Sequence, residues 1–200
     1  MTSNNLKRQV ARANFVGHWV IISLIAGQSF LFHSPGLANP DGPTLMGHVS
    51  FQGGILPPEI VTVNRNPEFC GETISLESIE VDIETYGLSD AVVSIEGISS
   101  QKEFQDSKKK TVTLTNKECR FTPRVITATK GDWVEIVNQD PILHNTHIRR
   151  NKRTFLNVAQ TPEGNPVKKE LKLAGEYEAQ CDKHTFMKAN ILTFDHPYFA

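Results

Sequence analysis

From Thr44 onward, apolar residues come in short runs and alternations, and no long segment holds a 3.6-residue period. The runs Thr44 to Gln52, Glu59 to Asn64, Ile79 to Glu84, Ala91 to Ile95, Arg124 to Thr129, Trp133 to Val137, Phe155 to Ala159, Leu171 to Leu173 and Ala189 to Phe194 read as strands. Thr111 to Thr115 alternates Thr with Val and Leu, as a half-buried strand does. Turn residues punctuate these runs: Gly53-Gly54, Pro57-Pro58, Asn66-Pro67, Gly87 and Gly97. Gln101 to Lys110 is polar and charged and reads as a surface loop or short helix. The clearest alternation is Gly175 to Cys181, where Tyr177, Ala179 and Cys181 point one way and Glu176, Glu178 and Gln180 the other. After a short loop, Met187, Ala189 and Ile191 share a face, with Lys188 and Asn190 opposite. Many short strands at close spacing predict an all-β sandwich or barrel rather than βαβ units.

The first 38 residues follow a different pattern. Lys7, Arg8 and Arg12 precede an apolar stretch from Phe15 to Phe32, broken by His18 and Gln28, and Gly36-Leu37-Ala38 supplies small residues. That order predicts a signal peptide over residues 1–38, with an uncleaved membrane anchor as the alternative. Residues 39–200 then form a single domain in an extracytoplasmic location, periplasmic or secreted. Composition changes the picture little: 38% hydrophobic and 22% charged residues describe an ordinary globular chain. The net charge is −1, and removing Lys7, Arg8 and Arg12 takes it to −4, which argues against nucleic acid as a partner. Three cysteines are too few for a disulfide scaffold and odd in number, so at least one thiol has a use other than pairing within the chain.

The segment Cys181-Asp182-Lys183-His184-Thr185-Phe186-Met187 sets a thiol, an imidazole and a thioether at i, i+3 and i+6. Thiolate and thioether are soft donors that select copper over hard cations, and a second imidazole completes a trigonal His2Cys set with a weak axial Met. That imidazole must come from elsewhere in the fold. His144 follows the strand Trp133 to Val137 and is placed to supply it; His147, three residues on, competes. Each residue also has an ordinary reading, as buried thiol, core filler or loop histidine, and it is their combination that points to metal.

The chain here resembles the cupredoxins. The likeness is carried by Phe121-Thr122-Pro123, Gly131-Asp132, Asn138, His144-Asn145, Gly175-Glu176-Tyr177 and Cys181-x2-His184-x2-Met187. The short ligand loop is similar to that of amicyanins. The ending, from Phe186-Met187-Lys188-Ala189 to Asp195-His196-Pro197-Tyr198-Phe199, is similar to secreted bacterial plastocyanin-like proteins of the methylamine-utilisation type. The resemblance implies a Greek-key cupredoxin-like β-sandwich, here with extra N-terminal strands from Thr44 to Lys110. It implies one copper per chain held by His144, Cys181, His184 and Met187, and one-electron transfer. It favours His144 over His147 because Asn follows His144. Asn145 would bond across to the Cys181 loop and tie the two segments together.

With Cys181 reserved for metal, Cys70 and Cys119 are expected to form a disulfide, which export permits; two separate thiols are the alternative. His184, in a loop, is expected to turn an imidazole edge to solvent, where electrons leave. Arg149, Arg150, Lys152 and Arg153 form a basic cluster that reads either as a docking patch for an acidic redox partner or as a solvated loop. His48 and His196 read as structural residues. The expected function is a type-1 copper carrier of single electrons between extracytoplasmic redox partners, acting as a monomer and not as an enzyme. A copper-delivery protein and a metal-free secreted binding sandwich are the competing readings. A zinc hydrolase on His144 and His147 would need a third ligand. A Cys181–His184 nucleophile pair would need an accessible thiolate, and Cys181 faces inward.

Overall fold

A computed structural model describes residues 46–55, 57–98 and 108–200. The proposed signal peptide, residues 1–38, and most of the Gln101 to Lys110 loop lie outside the described residues. The described residues belong to two compact units, one drawn from 57–78, 92–98 and 108–200, the other from 46–55 and 79–91.

In the larger unit, β1 (Glu59–Thr62) and β2 (Thr73–Leu76) form an antiparallel pair joined through the short helix α1 (Pro67–Cys70). Gly71 ends that helix at φ 85°, a left-handed conformation that suits glycine. The remaining strands are β3 (Thr111–Lys117), β4 (Arg120–Thr122), β5 (Val125–Thr129), β6 (Trp133–Asn138), β7 (His144–Arg150), β8 (Arg153–Gln160), β9 (Val167–Glu170), β10 (Gly175–Cys181) and β11 (Lys188–Phe194). They make two sheets, ordered β5-β11-β10-β7-β8 and β4-β3-β6-β9. The β5–β11 and β3–β6 pairs are parallel, so the chain crosses between sheets rather than running as a simple meander.

The two sheets share one core. Leu114, Val134 and Ile136 come from the four-stranded sheet; Ile148, Tyr177, Ala179, Cys181, Ala189 and Ile191 come from the five-stranded one. Each fully buried large aliphatic side chain contributes about 1.5–3 kcal/mol, so this common interior dominates the union of the sheets. The alternation read in Gly175 to Cys181 is realised: Tyr177, Ala179 and Cys181 are buried, and Glu176 and Glu178 are exposed. In β11, Asn190 is buried as well as Ala189 and Ile191, so the alternation expected there is not realised.

The sandwich is therefore as expected, but four of the anticipated strands are not formed. Among the described residues, the runs at 46–52, 79–84 and 91–95 contribute only isolated bridges, at Ser50, Val81 and Ser94. They lack a continuous ladder, and Met46, Ile83 and Val93 remain exposed. In the smaller unit, Asp82 Oδ1 instead turns the chain back by accepting bonds from Thr85 N–H (2.7 Å) and Oγ1 (2.8 Å). The run at Leu171 to Leu173 follows β9 rather than forming a strand; Leu171 is fully buried, its N–H bonded to the Asp132 carbonyl at 2.8 Å.

Candidate metal centre

β7 and β10 are antiparallel neighbours, with Cys181 opposite Thr146, so the first residue of β7 and the last of β10 lie at the same end of the sandwich. His144 opens β7 and Cys181 closes β10. The loop from Asp182 to Met187 folds back tightly, with Met187 N–H donating to the His184 carbonyl (2.8 Å) and Cys181 N–H to the Met187 carbonyl (3.2 Å). This brings together His144, Cys181 and His184, whose metal-binding atoms all lie within 4.8 Å of one another. Cys181 Sγ is 3.9 Å from His144 Nδ1 and 3.6 Å from His184 Nδ1. The two rings are tilted by 57° with centroids 4.9 Å apart.

The donors fit a metal of the softness expected. A zinc-sized ion at trigonal angles would separate a coordinated nitrogen and sulfur by about 3.7–3.8 Å, between the 3.6 and 3.9 Å found. A buried thiol flanked by two imidazoles matches the preference of copper. Met187 is buried at the end of the same loop. The amides of Asn145 and His184 both donate to Cys181 Sγ at 3.4 Å, complementing the negative charge a metal-bound thiolate carries.

The two imidazoles differ in their second contacts. His144 Nε2 lies 2.8 Å from Asp140 Oδ2, and both residues are buried. The Asp140 turn is itself held by Asn138, which accepts from Asp140 N–H (3.1 Å) and donates to the Ile142 carbonyl (2.9 Å). His184 Nε2 is buried and makes no well-aligned hydrogen bond; the backbone of Arg65 lies near the ring, and no carboxylate hydrogen-bonds to it. A second cluster, Cys119, Asp140 and His144, also has metal-ligand spacing, but the Cys119 sulfur is committed to a disulfide.

Burial lowers the pKa of both histidines. For His144 the hydrogen bond and charge of Asp140 oppose that shift and Lys183 adds to it; for His184 the neighbouring His144 and Lys183 add to it, while the Arg65 backbone and Asp140 oppose it. Both rings are thus neutral at pH 7, with a lone pair ready for a metal. The linkage has a definite sign. An unfolded histidine takes up a proton below about pH 6.5, while these folded ones resist it, so their contribution is intact above that pH and is lost as pH falls. The thermal midpoint of the metal-free protein should therefore drop on acidification below about pH 6.5, and His184→Gln should flatten that drop. Calorimetry across the pH range checks this; equal slopes in the two proteins would contradict it.

His147 is not brought to the centre. It sits on the opposite face of β7, with Nδ1 3.1 Å from Asp182 and Nε2 2.8 Å from Thr154 Oγ1. The choice between His144 and His147 falls to His144 because side chains alternate along the strand. Asn145 Oδ1 accepts from Asp182 N–H at 3.4 Å, a long link between the two ligand segments, and its amide nitrogen donates to Asn157 Oδ1 at 2.7 Å.

The solvent-facing His184 edge is not found: His184 is only 1% exposed. Phe186 follows it in the loop, with ring centroids 5.8 Å apart. Phe186 and Ile142 pack against a small cluster of Val63, Ile74 and Cys119, so the β1–β2 segment covers this end. Cys70 and Cys119 form the expected disulfide, 49 residues apart, and it ties the cover to the β3–β4 turn. Arg120 and Arg124 add hydrogen bonds to the carbonyls of Ser75 (3.0 Å) and Glu77 (2.9 Å).

The basic cluster sits at the β7–β8 hairpin, and its first two members turn to different partners. Arg149 reaches Asp182 at 3.6 Å, whereas Arg150 donates to the Ala174 carbonyl and lies over Tyr177. Lys152 lies in the β7–β8 turn and Arg153 opens β8 opposite Arg150, at the end of β7 remote from His144. His196 is buried and its Nδ1 accepts from Tyr198 N–H, a structural role.

No protein-family profile matches the chain, and no curated protein does. Among solved structures it is similar to a copper-containing nitrite reductase from Thermus scotoductus SA-01, at 23% identity over 42% of this chain and 22% of that one, with a TM-score of 0.39. The matched region thus spans under a quarter of the reductase. It is also similar to amicyanin variants. A Cu(I) form matches at 15% identity over 42% of this chain and 82% of that one, TM-score 0.39. A reduced form matches at 15% identity over 46% and 89%, TM-score 0.39.

Proposed function

We propose that this chain is a type-1 copper protein that carries single electrons between extracytoplasmic redox partners, with one copper bound by His144, Cys181, His184 and Met187. The observation that carries the reading is the convergence of two imidazole nitrogens and one thiol within 4.8 Å, from stretches 37 residues apart. Copper, when bound, supplies a one-electron couple. The chain supplies rigidity, because His144 and Cys181 stand on paired strands and the loop is closed by its own hydrogen bonds. It excludes water, since all three side chains are buried, and it presents both imidazoles neutral. Burial of all three donors also weighs against copper delivery, which needs an incoming ligand to reach the ion. The Cys70–Cys119 disulfide supports an oxidising compartment, and the pattern of residues 1–38 supports export. Partner contact near the half-exposed Asp182 and Arg149, beside the buried His184, is part of the same proposal.

The test is titration of the metal-free chain with Cu(II), followed by repeated reduction and reoxidation. One equivalent should produce an intense thiolate-to-copper visible band that bleaches and returns in each cycle. Copper lost on every reduction would point to delivery, and a sample that stays colourless would overturn the reading. Met187→Leu should keep the fold, at a cost below about 1.5 kcal/mol, and the colour, but shift the reduction potential. An unchanged potential would place the thioether outside the metal's reach.

A further inference from the structure

The carboxylate of Asp140 has no assigned role in binding metal, yet it is buried, held by two turn amides and set against one proposed ligand. Oδ1 accepts from Glu118 N–H at 2.6 Å; Oδ2 accepts from Cys119 N–H at 2.9 Å and faces His144 Nε2 at 2.8 Å. Glu118 and Cys119 form the β3–β4 turn with φ of 52° and 55°, so both amides are presented by a tight hairpin. Cys119 is also covalently tied to Cys70. Among the described residues, no lysine or arginine forms an ion pair with Asp140.

We propose that Asp140 is a positioning residue that fixes the orientation and tautomer of His144 and biases the centre toward its more positive oxidation state. This rests on the copper reading above. Both oxygens of Asp140 already accept from backbone amides, so the carboxylate faces His144 as an acceptor and the hydrogen between the two groups sits on His144 Nε2. Nδ1 then keeps its lone pair, on the side of the ring that faces Cys181 Sγ. A carboxylate bonded to the far nitrogen of a metal-bound imidazole also raises the donor strength of the ring. Because the pair is buried, its negative charge is poorly screened and stabilises Cu(II) more than Cu(I). His184 provides the internal contrast, since its Nε2 has no such partner.

The experiment is a redox titration of the copper-loaded full chain, wild type against Asp140→Asn and Asp140→Glu. In Asp140→Asn the visible band should persist, while affinity for Cu(II) falls at least tenfold relative to Cu(I), which raises the potential by about 59 mV or more. Asp140→Glu, which keeps the charge, should recover most of that shift. A role in folding alone would lower the thermal midpoint and leave the potential unchanged, and that result would overturn the inference while the copper reading stands. A wild-type chain without the band would instead remove the copper reading. Histidine 15N–1H spectra of wild-type Cu(I) protein test the contact without any substitution. His144 should show a strongly deshielded, slowly exchanging Nε2 hydrogen; an ordinary, fast-exchanging one would overturn the proposal even if neither variant folds.

Discussion

Cys181→Ser leaves a folded protein that has lost the thiolate-to-copper band entirely. The band requires a sulfur bonded to copper, and Cys181 is the free cysteine of the centre, the other two being joined to each other. The fold should tolerate the change. A hydroxyl occupies nearly the same space and accepts the same two amides, from Asn145 and His184, that now point at the sulfur. Copper affinity should fall because an alkoxide is not available at neutral pH, leaving two imidazoles and a thioether. Absorption spectroscopy on copper-loaded samples, with circular dichroism as a control for folding, checks this. Colour that survives in the variant would mean the wrong sulfur has been assigned.

Replacing Cys70 and Cys119 together by Ala has the second large effect. Closing a loop with a sequence separation of 49 is worth about 4 kcal/mol in the chain-entropy treatment. For a chain of this size that corresponds to a fall of about 8–16 °C in thermal midpoint. The consequence extends to the centre, because the bond holds the β1–β2 segment over Phe186 and the buried His184. Without it, the remaining anchors are a small apolar cluster and the Arg120 and Arg124 hydrogen bonds. A chelator should then remove copper from the variant faster than from the wild type. Differential scanning calorimetry and the rate of copper loss to a chelator read the two effects. An unchanged rate would show that the disulfide stabilises the fold without guarding the metal.

Much of this architecture was legible because the burial pattern is written in period two. Tyr177, Ala179 and Cys181 alternate with charged or amide side chains, and that alone aims Cys181 inward. The disulfide followed from reserving one thiol of three. β7 was not legible, since His144-Asn145-Thr146-His147-Ile148-Arg149-Arg150 holds only one aliphatic residue. Its inward positions are polar because they meet polar partners: His144 meets Asp140, and Thr146 Oγ1 bonds Gln160 Oε1 at 3.1 Å. Asp140 was missed for a related reason, as its role depends on the β3–β4 turn, which is near in space and far in sequence. The run at 79–84 misled in the opposite direction. It has the apolar content of a strand, but Asp82 bends it and Ile83 stays exposed.

The most direct test of the central claim is copper K-edge X-ray absorption on the loaded full-length chain. One short copper–sulfur distance with two imidazole nitrogens in the first coordination sphere is the predicted result. A sphere of nitrogen and oxygen alone, with no sulfur, would contradict the assignment of His144, Cys181 and His184 to a single ion.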